Sequence, residues 1–230
     1  MDDEKWKSEL DQIRRMQARG VKLTREGNYP EAVTQLRETL ERITTFAGRY
    51  PDVEIRVDRA NILRDFGEAL RHIPEGSTEA MKLVGQSIDL LNREDNPAEW
   101  ASSMQHKARI LRQWGWGPTE WDSRYLADAL HHVDQAWDAA FTLDRDIPER
   151  LWIGLDYAAI LALNEQPAEA RHIAKYCYRL AKRMAKRDST RAVVGIKHFV
   201  RAKTIVLFAG WTNIPLPLVR KAFWGRALVP

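Results

Sequence analysis

The residues best equipped for chemistry in this 230-residue chain are few and scattered. Six histidines and a single cysteine are present, and only His131-His132, near Asp128 and Asp134, form a cluster. The four-residue step from Asp128 to His132 would put both on one helix face. Two ligands make a poor metal site, because zinc is ordinarily held by three or four. A solvated polar face or a capping network accounts for the cluster better, so neither a metal nor another cofactor is expected. Cys177 falls in the apolar stripe Ile173, Cys177, Leu180, Met184. That context suits a buried small hydrophobe, since a nucleophilic thiol needs exposure and an activating base. No Gly-x-Ser-x-Gly elbow, phosphate-binding glycine loop or paired-cysteine spacing is present. Gly115-x-Gly117 follows a helical pattern and precedes Pro118, whereas a dinucleotide fingerprint follows a strand. No catalytic residue is expected, and the chain reads as a non-enzyme.

Binding chemistry is better represented. The net charge of +4 hides a division. Residues 166–230 hold fourteen Lys and Arg against two acids, whereas the first 165 hold 22 bases and 30 acids. An acidic body, 1–165, is thus followed by a basic end, 166–230, and such an end calls for an anionic partner or for electrostatic self-docking. Arg171, Lys175, Arg179, Lys182 and Lys186 line up at helical spacing, and Arg183, Arg187, Lys197 and Arg201 continue the positive charge. This surface could neutralise phosphates along DNA or RNA. No helix-turn-helix signature or RNA-stacking aromatic pair accompanies it. The same charges could instead be solvated, or face the acidic half of a neighbouring chain. Nine tryptophans add large contact surfaces, five of them (Trp100, Trp114, Trp116, Trp121, Trp137) within one stretch. Core filling is the expected role there, with an exposed docking patch around Trp116 as the alternative.

The elements that carry these residues are helical throughout. Apolar residues recur with a period of 3.6, and two-residue alternation is almost absent. In Pro30–Tyr50, Val33, Leu36, Leu40, Ile43 and Ala47 share a predicted face. Pro30 suits a helix start, where its missing N–H would be unpaired anyway. Pro51 stops the same helix by lacking a donor. The spacing predicts about ten helices, at 5–26, 30–49, 52–73, 78–93, 97–114, 122–142, 148–164, 167–187, 190–209 and 214–227. Short turns between them make about five antiparallel hairpins in one domain spanning 1–230. The last helix, rich in both apolar and basic residues, would cap the final hydrophobic face.

Aligning the hairpins on their turns exposes a shared pattern. Gly20, Leu23, Gly27, Tyr29, Ala32 and Leu36 fall at the spacing of the tetratricopeptide (TPR) consensus, and this hairpin resembles that family. Gly67, Leu70, Gly76, Ala80 and Val84 fit with one extra residue before Ala80. Ala108, Leu111 and Gly115, then Ala158, Leu161, Ala170, Ala174 and Cys177, follow more loosely. The turns recur every 40–50 residues or so, longer than the ~34 of a standard repeat. The resemblance implies an all-α, TPR-like α-solenoid whose first helices line a concave groove. Carried onto this sequence, the family's groove positions are Arg14 and Gln17, then Asn61, Arg64 and Arg71, then Gln105, Arg109 and Arg112.

Arginines and amides converging on a groove suit an acidic or extended peptide, because guanidinium groups bind carboxylates bidentately. The expected function is therefore a non-catalytic protein-protein interaction module, an adaptor or regulator. The alternative is nucleic-acid binding through the basic end. One cysteine suits a reducing cytoplasm, and no apolar run approaches the roughly 20 residues of a membrane helix. The acidic opening Met1-Asp2-Asp3-Glu4 is unlike a secretory signal. Homo-oligomerisation stays open.

Overall fold

The computed structural model describes residues 3–115, 122–143 and 148–187. Eight helices account for nearly all of them: α1 Asp3–Arg25, α2 Tyr29–Arg49, α3 Arg56–Leu70, α4 Ser77–Asp89, α5 Pro97–Gly115, α6 Ser123–Phe141, α7 Pro148–Leu163 and α8 Pro167–Arg187. They match the first eight of the ten expected helices. The expected helices 190–209 and 214–227, with Lys197, Arg201, Trp116 and Trp121, lie outside the described residues. The chain forms two compact units, Met1–Ile110 and Leu111–Pro230, which divide within α5. In the first, α1 packs on α2, α3 on α4, and α3 also meets α1 and α2. In the second, α7 packs on both α6 and α8.

Two boundaries differ from the expected ones for local reasons. The helix expected from residue 52 begins at Arg56, because Val53 N–H turns back to the Tyr50 carbonyl at 3.1 Å. Glu54 then accepts the Arg56 N–H at 2.8 Å, satisfying an otherwise orphaned donor of the first turn. The helix expected to run to 93 ends at Asp89. Beyond it, Asn92 accepts the Glu94 N–H on its side chain at 2.7 Å, a local turn that competes with helix. The buried face of α2 is also rotated by about one residue: Ala32, Leu36, Thr39, Ile43 and Phe46 are buried, while Val33, Leu40 and Ala47 are only half-buried.

Each hairpin closes on a small residue. An added Cβ at Gly20 would lie 2.5 Å from Leu36 Cγ, and one at Gly67 would lie 2.6 Å from Val84 Cγ2. At Gly154 it would meet Cys177 Sγ and Trp137 Cζ3, each at 2.5 Å. Here the helices approach until the partner's side chain occupies the place of the missing one. The turns of the first and fourth hairpins also share a geometry. Asn28 N–H bonds the Leu23 carbonyl and Gln166 N–H bonds the Leu161 carbonyl, both at 3.0 Å. Gly27 (φ 82°) and Glu165 (φ 58°) occupy the left-handed position of this helix-ending motif.

Gly85 on α4 and Gly48 on α2 have open space where a Cβ would stand. Gly85→Ala and Gly48→Ala should therefore each stabilise the protein by about 0.5–1 kcal/mol through helix propensity. Gly67→Ala should instead lower stability by roughly 1–2 kcal/mol, because the clash with Val84 outweighs that gain. Urea midpoints of the three variants test the contrast.

Candidate functional site

In the first unit, Arg14, Gln17, Asn61, Arg64, Arg71 and Arg109 of the expected groove set share a network of polar contacts across α1, α3 and α5, in company the sequence reading did not include. On α3, Asp58, Asn61, Asp65 and Glu68 recur at three- and four-residue steps, which puts them on one stripe that His72 continues in the turn after the helix. Arg14 of α1 forks onto Asp58, with Nε 2.8 Å from Oδ1 and an Nη 3.1 Å from Oδ2. Gln17 donates to Asp65 Oδ2 at 2.7 Å. Arg64 donates from Nε and Nη2 to Asp65 Oδ1 at 3.1 and 2.9 Å, and from Nη1 to Asn61 Oδ1 at 2.7 Å. Arg71 clasps both oxygens of Glu68, each bond 2.7 Å. Paired, planar geometry of this kind is the strong form of ion pair.

Glu68 is the hub. Arg109 of α5 stands 3.6 Å away, and His72 and His106 at 3.8 and 3.7 Å. Burial works against a charge here, yet Arg71 and Arg109 outweigh it and hold the Glu68 carboxyl well below the usual range. His106 is pushed down to about 4, chiefly by burial, with Glu68 opposing and Arg109 and Arg64 adding to the shift. The hydrogen bonds agree with a neutral ring. Its Nδ1 lies 2.7 Å from the Ser102 carbonyl, which can only accept, so Nδ1 carries the proton. Nε2 is then the acceptor for Arg109 Nη1 at 3.4 Å. His72 stacks on Tyr29, ring centroids 4.2 Å apart and nearly parallel.

Gln105 belongs to the interior, only 3% exposed. Nearby, Ser87 of α4 donates to the Ala60 carbonyl at 2.7 Å and meets Ser103 at 2.9 Å, a buried polar tie among α3, α4 and α5. Arg112 lies in the second unit, 6% exposed, and donates to the buried Asp156 at 3.2 Å. Of this set, Arg14 is exposed, and Gln17, Asn61, Arg64, Arg71 and Arg109 are half-buried. The sequence reading missed Asp58, Asp65, Glu68 and His106, although the stripe on α3 was visible in their spacing.

In the second unit, Arg150 caps α6, bonding the Ala140 carbonyl at 3.0 and 3.1 Å and the Leu143 carbonyl at 2.5 Å, with its guanidinium over Phe141. Trp137 is buried against Phe141, Tyr157 and Tyr176, in line with core filling. Trp114 meets Tyr125 edge-on, and in the first unit Arg93 lies over Trp100. Asp134 accepts from the Tyr157 hydroxyl at 2.6 Å, and burial together with this bond raises the phenol above its ordinary value. His131 pairs with Gln135 at 3.2 Å. Among the described residues, no group of three or more His, Cys, Asp or Glu is placed to hold a metal ion. Cys177 is fully buried and its thiol is pushed up to about 12 by that burial, which leaves it unreactive near neutrality.

No protein-family model matches the chain, and no curated protein matches it. Solved structures do. Nearly identical TPR-like repeats of a kinesin-light-chain-like protein from Podosopora anserina align over 92% of this chain and 91% of theirs, at 16% identity and a TM-score of 0.57. A Q17M variant of the same protein aligns over the same shares, at 16% identity and a TM-score of 0.59. The fold is TPR-like. Among its described residues, no helix is long and apolar enough to cross a membrane.

The neutral His106 sets a pH dependence. Its folded pKa of about 4 lies below the ~6.5 of an unfolded chain, so between these values the unfolded state binds the extra proton. Stability should fall as pH drops through that window, by roughly 2–3 kcal/mol between pH 7 and 4.5. Glu68, depressed in the folded state, adds a loss only below about pH 4.5. Urea unfolding of His106→Gln across that range should show a flatter profile than the parent.

Proposed function

We propose that the chain is a non-catalytic protein-interaction module that holds an extended segment of a partner protein along the α1–α3–α5 face of its first unit. The observation that carries this reading is an ordered polar face with hydrogen-bonding capacity to spare. Asn61 uses its carbonyl oxygen on Arg64, and its amide nitrogen has no partner among the described residues. Gln17 uses its amide nitrogen on Asp65 and keeps an acceptor oxygen. A donor and an acceptor on neighbouring helices, both held in place by charged neighbours, suit the alternating N–H and C=O of an extended backbone.

An acidic partner is the finer form of the proposal. Its carboxylates would exchange with Asp58, Asp65 or Glu68 on arginines that are already oriented, so specificity would come from geometry more than from excess positive charge. Such a partner would be met in the cytoplasm, where a lone buried thiol is at home.

Gln17→Ala combined with Asn61→Ala removes the two backbone-reading amides and leaves the Arg14–Asp58 and Arg71–Glu68 pairs intact. A pull-down from the native cell with mass spectrometry should recover the partner at least about tenfold less well with this variant, at a similar melting temperature. Undiminished recovery would overturn the reading.

A further inference from the structure

Within the second unit, α6 and α8 lie side by side on α7 and carry opposite charge. Leu130 of α6 and Ile173 of α8 pack on the same pair, Leu161 and Ala170. Further along, Tyr176 of α8 meets both Trp137 and Phe141 of α6, with ring centroids 5.5 and 5.4 Å apart. The two helices therefore run in the same direction. Asp134 and Asp138 of α6 stand within about a turn of the level of Lys175 and Arg179 of α8, and all four are exposed. Arg124 is the one Lys or Arg on α6, and Asp122 holds it at the helix start. Glu169 is the one acid on α8. An aromatic seam runs between the charged stripes. Phe141 is 46% exposed, the most open large apolar side chain among the described residues, although Arg150 already stands over its ring. Tyr176 beside it is half-buried.

We propose that this α6–α8 face docks onto the same face of a second copy of the chain, forming a two-fold dimer. A two-fold axis parallel to the helices and midway between them lays α6 of each copy over α8 of the other. Because such an axis preserves level along the helices, Asp134 and Asp138 of one copy meet Lys175 and Arg179 of the other, and the contact is made twice. Phe141 and Tyr176 of the two copies come together near the axis. The result is an apolar centre within a charged rim, the ordinary anatomy of a protein interface. A face with one negative and one positive half is complementary to itself. A uniformly charged partner is repelled by one half or the other, so neither a polyanion nor a polycation fits the whole surface.

Sedimentation velocity of the full chain over a range of concentrations, at low and at high salt, tests this. The parent should form a dimer and nothing larger, and high salt should weaken it at least about threefold by screening the rim. Asp134→Lys with Asp138→Lys, and separately Lys175→Glu with Arg179→Glu, should each weaken association at least about tenfold by setting like charges opposite one another. An equimolar mixture of these two variants should regain the parental affinity within about threefold, because every α6–α8 pairing is then attractive again. Tyr157→Phe removes the hydrogen bond to Asp134 without changing charge and should dimerise like the parent. Asp138→Asn with Lys175→Gln adds no repulsion within the fold and should weaken the dimer at least about threefold. The proposal is overturned by a parent that stays monomeric at low salt, whatever polyanion it then binds, or by oligomers that grow beyond the dimer. It is equally overturned if the neutral variant dimerises as well as the parent, or if the folded charge-reversed pair stays monomeric when mixed.

Discussion

Close approach between the helices of a hairpin is the constraint on which the remaining structure depends. Gly20 against Leu36, Gly67 against Val84, and Gly154 against Cys177 and Trp137 let backbones come near enough that a methyl group would collide. Within the first unit, this packing leaves α1, α3 and α5 sharing a polar face while the apolar residues of α2 and α4 turn inward. The face is an outcome of the packing, and its charges are fixed by it.

Those charges are arranged as pairs. A guanidinium partly withdrawn from water is costly unless a carboxylate meets it, and Asp58, Asp65 and Glu68 meet Arg14, Arg64 and Arg71. The neutral His106 follows chiefly from its burial, with Arg109 and Arg64 adding repulsion against a further cation. Pairing preorganises the face before any partner arrives, which reduces the ordering a partner must impose. On α8, by contrast, Lys175, Arg179, Lys182 and Lys186 are exposed and have no ion-pair partner among the described residues.

Much of the helical framework was legible in the sequence because proline and glycine punctuate it. Pro30 and Pro167 open helices, and Gly27 takes the left-handed turn that its type suggests. Glu165 and Glu75 also adopt positive φ, and nothing in a glutamate announces that. The phase of α2 was misread by one residue because Thr39, counted as polar, is buried with its hydroxyl returned to the Gln35 carbonyl. The repeat resemblance drew attention to the arginines of the α1–α3–α5 face and away from their acids. The amphipathic stripe on α8 was plain in its spacing.

Arg14, Arg64 and Arg71 of the first unit are already engaged in the partner-free protein, whereas Arg179 of α8 has no ion-pair partner among the described residues. Arg14, Arg64 and Arg71 each use Nε–H in their carboxylate pair, and Arg179 has no such bond among the described residues. Proton–nitrogen correlation spectra of the arginine Nε–Hε groups, recorded on the partner-free monomer near neutral pH, distinguish the two conditions directly. The account predicts resolved, slowly exchanging signals for Arg14, Arg64 and Arg71, and solvent-averaged exchange for Arg179. Rapid exchange at all four arginines would contradict it.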